Sequence, residues 1–238
     1  MQLAINQTLS ESVNAAPLIA ALFAEGAVAY QTWEPHAADT LLGVEREAVV
    51  NAVAKRVHEF AGGRACARAA LAQLGYGVIE LPVGTDRAPR WPLGIAGSIT
   101  HTHGFCAAVV ARSTQIRSLG LDAEPASSVK PHLWRRICTA EEHALLESQD
   151  ESTALRNATL MFSAKEAFYK CQYPLTTQSL GFHDASVQIL HWGARRGAFS
   201  ISASRAIAFD DFATPPWSGQ YLFHERFVTA ALCLPRKP

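Results

Sequence analysis

The chain has 238 residues, 49% of them hydrophobic, with 21 basic and 21 acidic side chains. That length fits one large domain or two of moderate size, and the balanced charge excludes the overall basic field of a bulk nucleic-acid binder. The five cysteines (Cys66, Cys106, Cys138, Cys171 and Cys233) form no C-x-x-C pair, there is no basic n-region before an apolar run, and no apolar segment reaches 18 residues. A soluble, cytoplasmic protein with buried thiols, neither disulfide-stapled nor membrane-spanning, is the expectation.

The first 26 residues carry little signal. Ala27–Trp33 reads as a short strand broken by Glu34-Pro35-His36. From Glu45 to Leu74 the apolar positions Val49, Val53, Val57, Phe60, Ala67, Ala70, Leu71 and Leu74 fall at helical spacing, and Gly62-Gly63 predicts a kink or a junction of two helices. Arg64 and Arg68 are i, i+4 on that helix and share a face, either solvated or shaped as a cradle for phosphate. Residues 75–94 are rich in glycine and proline and read as irregular. Ile95–Gly104 leads into a buried strand at Phe105–Ala111, then a strand at Ile116–Ala123, with Arg112–Gln115 suited to a hairpin turn.

Beyond Pro125, Ser127-Ser128 is a candidate link between two halves. Trp134–Ile137 reads as helical, and Thr139-Ala-Glu-Glu142 matches a capping box opening a helix to about Leu146. A longer helix is predicted from about Thr153 to Gln172, ended by Tyr173-Pro174. Its apolar stripe is Leu160, Met161, Ala164, Phe168 and Cys171, with Ser163, Glu166 and Lys170 on the opposite stripe. Phe182–Leu190, Ala198–Ala203 and Phe227–Leu234 read as strands, Asp210–Ser218 as a loop, and Pro235–Pro238 as a disordered tail. The order of elements suggests α+β halves side by side, with the 95–124 region near their seam. No internal repeat is visible in the residues.

The chemistry centres on Gly120-Leu-Asp122-Ala-Glu124-Pro125. On a strand, Asp122 and Glu124 point to the same face and repel each other unless a cation lies between them. Alone, the pair reads more readily as a solvated edge than as a metal site. His101 and His103 are also i, i+2, but no third and fourth ligand at a familiar zinc spacing follows. A single histidine beside Thr100, donating to a phosphate oxygen, is the simpler reading.

Three segments stand in order: Gly97-Ser-Ile-Thr100-His101, Gly120-Leu-Asp122-Ala-Glu124 and Phe162-Ser-Ala-Lys165-Glu166-Ala-Phe-Tyr-Lys170. Together they resemble the signature of the 4′-phosphopantetheinyl transferases, in the larger single-chain type that activates the carrier proteins of peptide and polyketide synthetases. Lys55-Arg56, Ala61-Gly-Gly63-Arg64 with Ala67-Arg68, and Asp86-Arg87-Ala-Pro89 resemble its enterobactin-type branch. The resemblance covers about residues 50–175. It implies two similar, pseudo-twofold-related α+β halves, here 1–118 on the nucleotide side and 119–238 carrying the metal-binding strand and helix. It further implies coenzyme A as substrate and transfer of phosphopantetheine to a serine of an apo acyl or peptidyl carrier protein, releasing 3′,5′-ADP. The chain would act as a monomer.

Carried across, Asp122, Glu124 and Glu166 are the ligands of Mg²⁺, with Mn²⁺ as an alternative. Glu166 also serves as base, and Lys170 neutralises the diphosphate. Thr100 and His101 hold phosphate oxygens, Arg56, Arg64, Arg87 and Pro89 line the adenosine 3′-phosphate side, and Lys165 joins the coenzyme site with a less defined role. Departures from the pattern are Thr102-His103 after His101, with His103 expected at the surface, and Ala123 between the carboxylates. Two other readings compete with it. A metal-dependent phosphohydrolase using His101, His103, Asp122 and Glu124 leaves Lys165, Glu166 and Lys170 unexplained. A non-catalytic module binding carrier protein or coenzyme A leaves three carboxylates unexplained.

Overall fold

The run from Phe105 to Ala111 contains no polar side chain, and two-sided burial accounts for it. In the computed structural model, which describes residues 18–33, 36–204, 207 and 216–236, this run forms strand β3 (Phe105–Arg112). Phe105, Ala107 and Val109 pack into one core, while Cys106, Ala108 and Val110 pack into another. Successive side chains on a strand leave by opposite faces, so a strand between two layers is apolar throughout.

β3 is central in an antiparallel sheet ordered β1-β3-β2, with β1 at Ala27–Thr32 and β2 at Ile95–Thr102. One face is covered by helix α2 (Ala54–Gln73), which follows a short helix α1 (Gly43–Glu47). The other face packs on a second antiparallel sheet ordered β4-β8-β7-β6-β5. Its strands are β4 (Ile116–Pro125), β5 (Ala185–His191), β6 (Arg196–Ala203), β7 (Trp217–Phe223) and β8 (Phe227–Pro235). Helix α5 (Glu151–Thr176) covers its far side, preceded by α3 (Pro131–Ile137) and α4 (Ala140–Glu147). The layers are helix, sheet, sheet, helix, and the fold is α+β as expected. The order first strand, last strand, penultimate strand occurs twice, as β1-β3-β2 and as β4-β8-β7, with the β5–β6 hairpin added at one edge. The halves therefore share a topology that the residues themselves do not reveal.

Local capping signals set the starts of two helices. Thr139 caps α4 reciprocally: Glu142 N donates to Thr139 Oγ1 at 3.3 Å and Thr139 N donates to Glu142 Oε2 at 2.8 Å. Asp150 caps α5 by accepting from Thr153 N at 3.1 Å. All five cysteines are free, and four of them are buried. Among the described residues, no helix is long and apolar enough to cross a membrane.

Several expectations are corrected. Gly62-Gly63 do not kink α2, which runs through them. A Cβ on Gly62 would stand 2.6 Å from Cys106 Sγ and one on Gly63 2.8 Å from Ile99 Cγ2, so the glycines let the helix lie close on the sheet. The break falls earlier, at residues 48–53. Arg112–Gln115 does not close a hairpin but carries the chain from one sheet to the other. The hairpin is β2–β3, turned by His103 and Gly104 at φ 32° and 78°, the positive values that primed turns require. Ser127-Ser128 does not link the halves but follows β4 within the second one, and 112–115 is the segment that joins the two sheets. Pro174 sits inside α5, three residues before its Thr177 cap, where the only interior hydrogen bond forfeited is the one to Lys170 O. Strand β7 takes in Trp217 and Ser218 of the expected loop; residues 210–215 of that loop, the Glu34-Pro35 break and the last two residues lie outside the described residues.

The contact that positions the chemistry is β4 against α5. Ser118 Oγ donates to Cys171 O at 2.6 Å, and a Cβ on Gly120 would stand 1.9 Å from Ala167 O. Strand and helix thus approach backbone to backbone along the face that next presents Asp122. Gly120→Ala is expected to destabilise the protein by about 3 kcal/mol, because its clash partner is backbone and cannot rotate away. Denaturant unfolding monitored by circular dichroism checks this, and the expected signature is a lower midpoint at an unchanged slope.

Candidate active site

Asp122 follows Gly120 by two residues and faces the same helix. Its carboxylate is 4% exposed. Lys170 Nζ donates to Asp122 Oδ1 at 2.8 Å and to Leu121 O at 3.2 Å, while Asp122 Oδ2 is buried with no hydrogen-bond partner. A buried carboxylate oxygen without a partner is costly, and such groups mark places where a ligand completes the bonding.

Glu124 and Glu166 share this neighbourhood. Burial pushes the Glu124 carboxyl up to about 7, with Asp122 and Glu166 adding to the rise and Lys170 opposing it. Burial likewise raises Glu166, with a further contribution from Asp122 and opposition from Lys170. Two buried glutamates, both raised further by Asp122, beside one carboxylate oxygen lacking a partner form a donor set suited to a hard divalent cation. Among the described residues, no three metal-ligating side chains are already drawn together as a ligand cluster. Lys170 holds one oxygen of Asp122 in that arrangement.

Across the seam stands β2. Leu121 N donates to Ser98 Oγ at 3.0 Å and Ala123 N donates to Thr100 Oγ1 at 2.9 Å. β4 is an edge strand of its sheet, and these two hydroxyls supply the acceptors that a neighbouring strand would otherwise provide. Thr100 is 3% exposed and accepts from the backbone of the carboxylate strand. Its neighbour His101 is half-buried and points to the other side of β2. Arg56 can only donate, so its contact with His101 Nε2 makes that nitrogen an acceptor and leaves the proton on Nδ1, which lies 3.5 Å from Glu59 Oε2. Burial lowers the His101 pKa; Glu59 raises it, Arg56 and Lys170 lower it, and Asp122 raises it. His101 therefore feels charges from α2, β4 and α5 together.

The remaining cationic candidates are divided. Arg64 is buried, donates from Nε to Leu81 O at 2.9 Å, lies 4.4 Å from the centre of the Phe60 ring and is pulled down to about 10 chiefly by burial. Arg68 is neither solvated nor free for phosphate: its guanidinium holds both oxygens of the fully buried Glu45 at 2.8 Å. Arg87 sits exposed at the tip of a closed loop, with φ 66°, where Gly84 N donates to Ala88 O at 2.9 Å and Val83 bridges Pro89. Trp91 secures that loop to β2, since a Cβ on Gly97 would stand 2.6 Å from its ring. Lys165 departs from its expected place at the coenzyme. It is 3% exposed and donates to Ile137 O, Glu142 Oε2 and Phe182 O at 2.7, 2.7 and 2.9 Å. Ser163 is fully buried and is not part of an open stripe. His103 is exposed, as expected, and sits at the β2–β3 turn, where its carbonyl accepts from Arg226 at 3.3 Å.

Two features were not found in the sequence. Glu59, one helical turn from Arg56, orients His101; the i, i+3 spacing was readable, but its partner on β2 was not. A cavity of about 270 Å³ adjoins Glu166, walled by Phe168, Tyr169, Leu180, Gly181 and Phe182. The 179–182 segment carries no motif that would have announced it.

Similarity to known proteins is extensive. The sequence profile of the 4′-phosphopantetheinyl transferase N-terminal domain matches residues 44–111, and that of the 4′-phosphopantetheinyl transferase superfamily matches residues 118–228. The chain is 34% identical over 194 residues to the 4′-phosphopantetheinyl transferase Npt of Nocardia iowensis, covering 79% of this chain and 86% of that one. The chain belongs to the 4′-phosphopantetheinyl transferase superfamily. It is an enzyme of that family. It is also 41% identical over 142 residues to the transferase Svp of Streptomyces mobaraensis, covering 59% of this chain and 58% of that one. With enterobactin synthase component D of Escherichia coli K12 it shares 33% identity over 166 residues, covering 69% and 71%. Within this transferase, the matched segments are those that supply β2, β4 and α5.

The raised Glu124 carboxyl gives a pH signature to the metal-free transferase. Its folded pKa of about 7 exceeds the ordinary value of 4.5, so between those values the folded state binds more protons than the unfolded state. Stability contributed by this group is therefore lost as pH rises from about 4.5 through 7. In thermal melts with a chelator present, Glu124→Gln is expected to equal the wild type near pH 4.5 and to melt higher above pH 7.

Proposed function

We propose that the chain transfers the 4′-phosphopantetheine group of coenzyme A to a serine hydroxyl of an apo acyl or peptidyl carrier protein, with Mg²⁺, and releases 3′,5′-ADP. The observation that carries this reading is the buried Asp122 carboxylate, with one oxygen on Lys170 and the other without a partner, facing Glu124 and Glu166 beside a narrow cavity. Residues 1–118 supply the nucleotide side and residues 119–238 the metal-binding side.

In this reading the serine oxygen attacks the β-phosphorus of coenzyme A. The bond to the bridging oxygen breaks, and its electron pair leaves with 3′,5′-ADP. Glu166 takes the serine proton, directly or through a water. Its raised pKa supports that role, because a base with a higher proton affinity gains more driving force for the transfer. Mg²⁺, or Mn²⁺ in its place, would be held by Asp122, Glu124 and Glu166 and would supply positive charge to the diphosphate oxygens. Lys170 exchanges part of its contact with Asp122 for those oxygens. His101 presents an N–H toward phosphate when Glu59 and Arg56 yield to the ligand, while the Thr100 hydroxyl, on the opposite face of β2, holds the backbone of β4 rather than phosphate. Arg56, Arg64, Arg87 and Pro89 line the side of the adenosine 3′-phosphate. The pantetheine arm enters the cavity of about 270 Å³, whose walls Phe168, Leu180 and Phe182 suit a thin, largely apolar chain.

The test is the intact mass of an apo carrier protein after incubation with coenzyme A, Mg²⁺ and the enzyme. The expected result is a gain of one phosphopantetheine group. Asp122→Ala and Glu166→Ala are expected to lower turnover at least about 100-fold while melting close to the wild type. Wild-type turnover by either variant at saturating Mg²⁺ contradicts the metal assignment, and no gain of mass across several carriers contradicts the function.

A further inference from the structure

We infer that Lys165 is a positioning residue that sets the width of the cavity beside Glu166 and does not touch phosphate. This rests on the reading of that cavity as the site of the pantetheine arm.

An ammonium group has three protons and no acceptor capacity. All three protons of Lys165 are committed, to Ile137 O at 2.7 Å, Glu142 Oε2 at 2.7 Å and Phe182 O at 2.9 Å. The partner is equally committed. Glu142 Oε2 also accepts from Thr139 N at 2.8 Å, and Oε1 accepts from Val187 N at 2.7 Å. Both residues are buried. One buried ion pair therefore joins the end of α3, the start of α4, the middle of α5, the turn at Phe182 and strand β5.

Two of those segments are opposite walls of the cavity. α5 presents Glu166 and Tyr169, while the 179–182 segment presents Leu180 and Phe182. A buried polar link between these walls is Lys165 Nζ on the Phe182 carbonyl, supported by the Phe162 and Phe182 rings at 5.4 Å. The Lys165 stem itself lines the cavity. A direct contact with phosphate would require the ammonium to abandon three buried acceptors and leave Glu142 uncompensated, which is strongly unfavourable. Holding the wall is the role left to it. The lysine next in sequence to the proposed base thus governs where the arm lies relative to that base.

The two roles predict different ligand dependence. Coenzyme A carries the pantetheine arm and 3′,5′-ADP does not, while both carry phosphates. Calorimetric titration of each ligand in Mg²⁺ buffer is compared for the wild type, the doubly neutral Glu142→Gln/Lys165→Met, and Phe182→Ala. The double variant avoids a lone buried charge. Phe182→Ala moves the same wall without touching the ion pair. Both variants are expected to bind coenzyme A about tenfold more weakly and 3′,5′-ADP with unchanged affinity. Equal weakening for the two ligands in the double variant overturns the inference in favour of a phosphate contact, and unchanged coenzyme A affinity in Phe182→Ala overturns it by removing the grip of that wall. A wild type that binds neither ligand refutes the proposed function itself, which separates that failure from the failure of the role assigned to Lys165.

Discussion

The approach of β4 to α5 is the constraint on which the rest depends. It is set by the missing side chain at Gly120, opposite Ala167 O, and by the hydroxyl of Ser118 on Cys171 O. Period two then places Asp122 and Glu124 on the helix side of the strand, and helical spacing places Glu166 and Lys170 one turn apart. Carboxylates gathered in this way repel one another, and burial sharpens the repulsion. Lys170 offsets it for one oxygen of Asp122, and the rise of Glu124 and Glu166 reflects burial first and this repulsion second. A site built with excess negative charge is poised for a cation and for the phosphates that a cation brings.

The second requirement is that the other sheet meets this strand without covering the carboxylates. A further strand paired to β4 would do so through backbone ladders. Ser98 and Thr100 instead offer hydroxyl oxygens to Leu121 N and Ala123 N, so the edge is satisfied while His101 remains free to face outward with Arg56 and Glu59. The apolar layer between the sheets, built on Phe105, Leu119, Leu121 and Phe227, holds the two halves at that seam. Stability and site geometry thus come from the same alternation: Leu119, Leu121 and Ala123 fill the core, and Ser118, Gly120 and Asp122 face α5.

What the sequence disclosed follows the range of the forces involved. The Thr139–Glu142 box, the two-sided strand at Phe105 and the amphipathic helix around Phe168 are local patterns and were readable. The pairing of Asp122 with Glu124 was readable as geometry, but the solvated edge it first suggested gave way only once Glu166 and Lys170 stood beside it. Gly62-Gly63 suggests a kink in the sequence because the helix's closeness to Cys106 and Ile99 is a tertiary fact. Pro174 was misread as a terminator because its cost is small one turn from a helix end. Lys165 kept an undefined role, since its acceptors come from residues 137, 142 and 182, which no spacing rule connects. Local physics was legible, and contacts between distant segments were not.

The central claim is that Asp122, Glu124 and Glu166 act together on one divalent ion. Electron paramagnetic resonance of Mn²⁺ tests this most directly, because bound ion loses the sharp signal of free ion. Titrating the wild-type chain with Mn²⁺ in the presence of coenzyme A is predicted to remove one ion per chain from the free signal, and Asp122→Asn is predicted to abolish that loss. Equal loss of signal in the two proteins, or none in the wild type, would contradict the account.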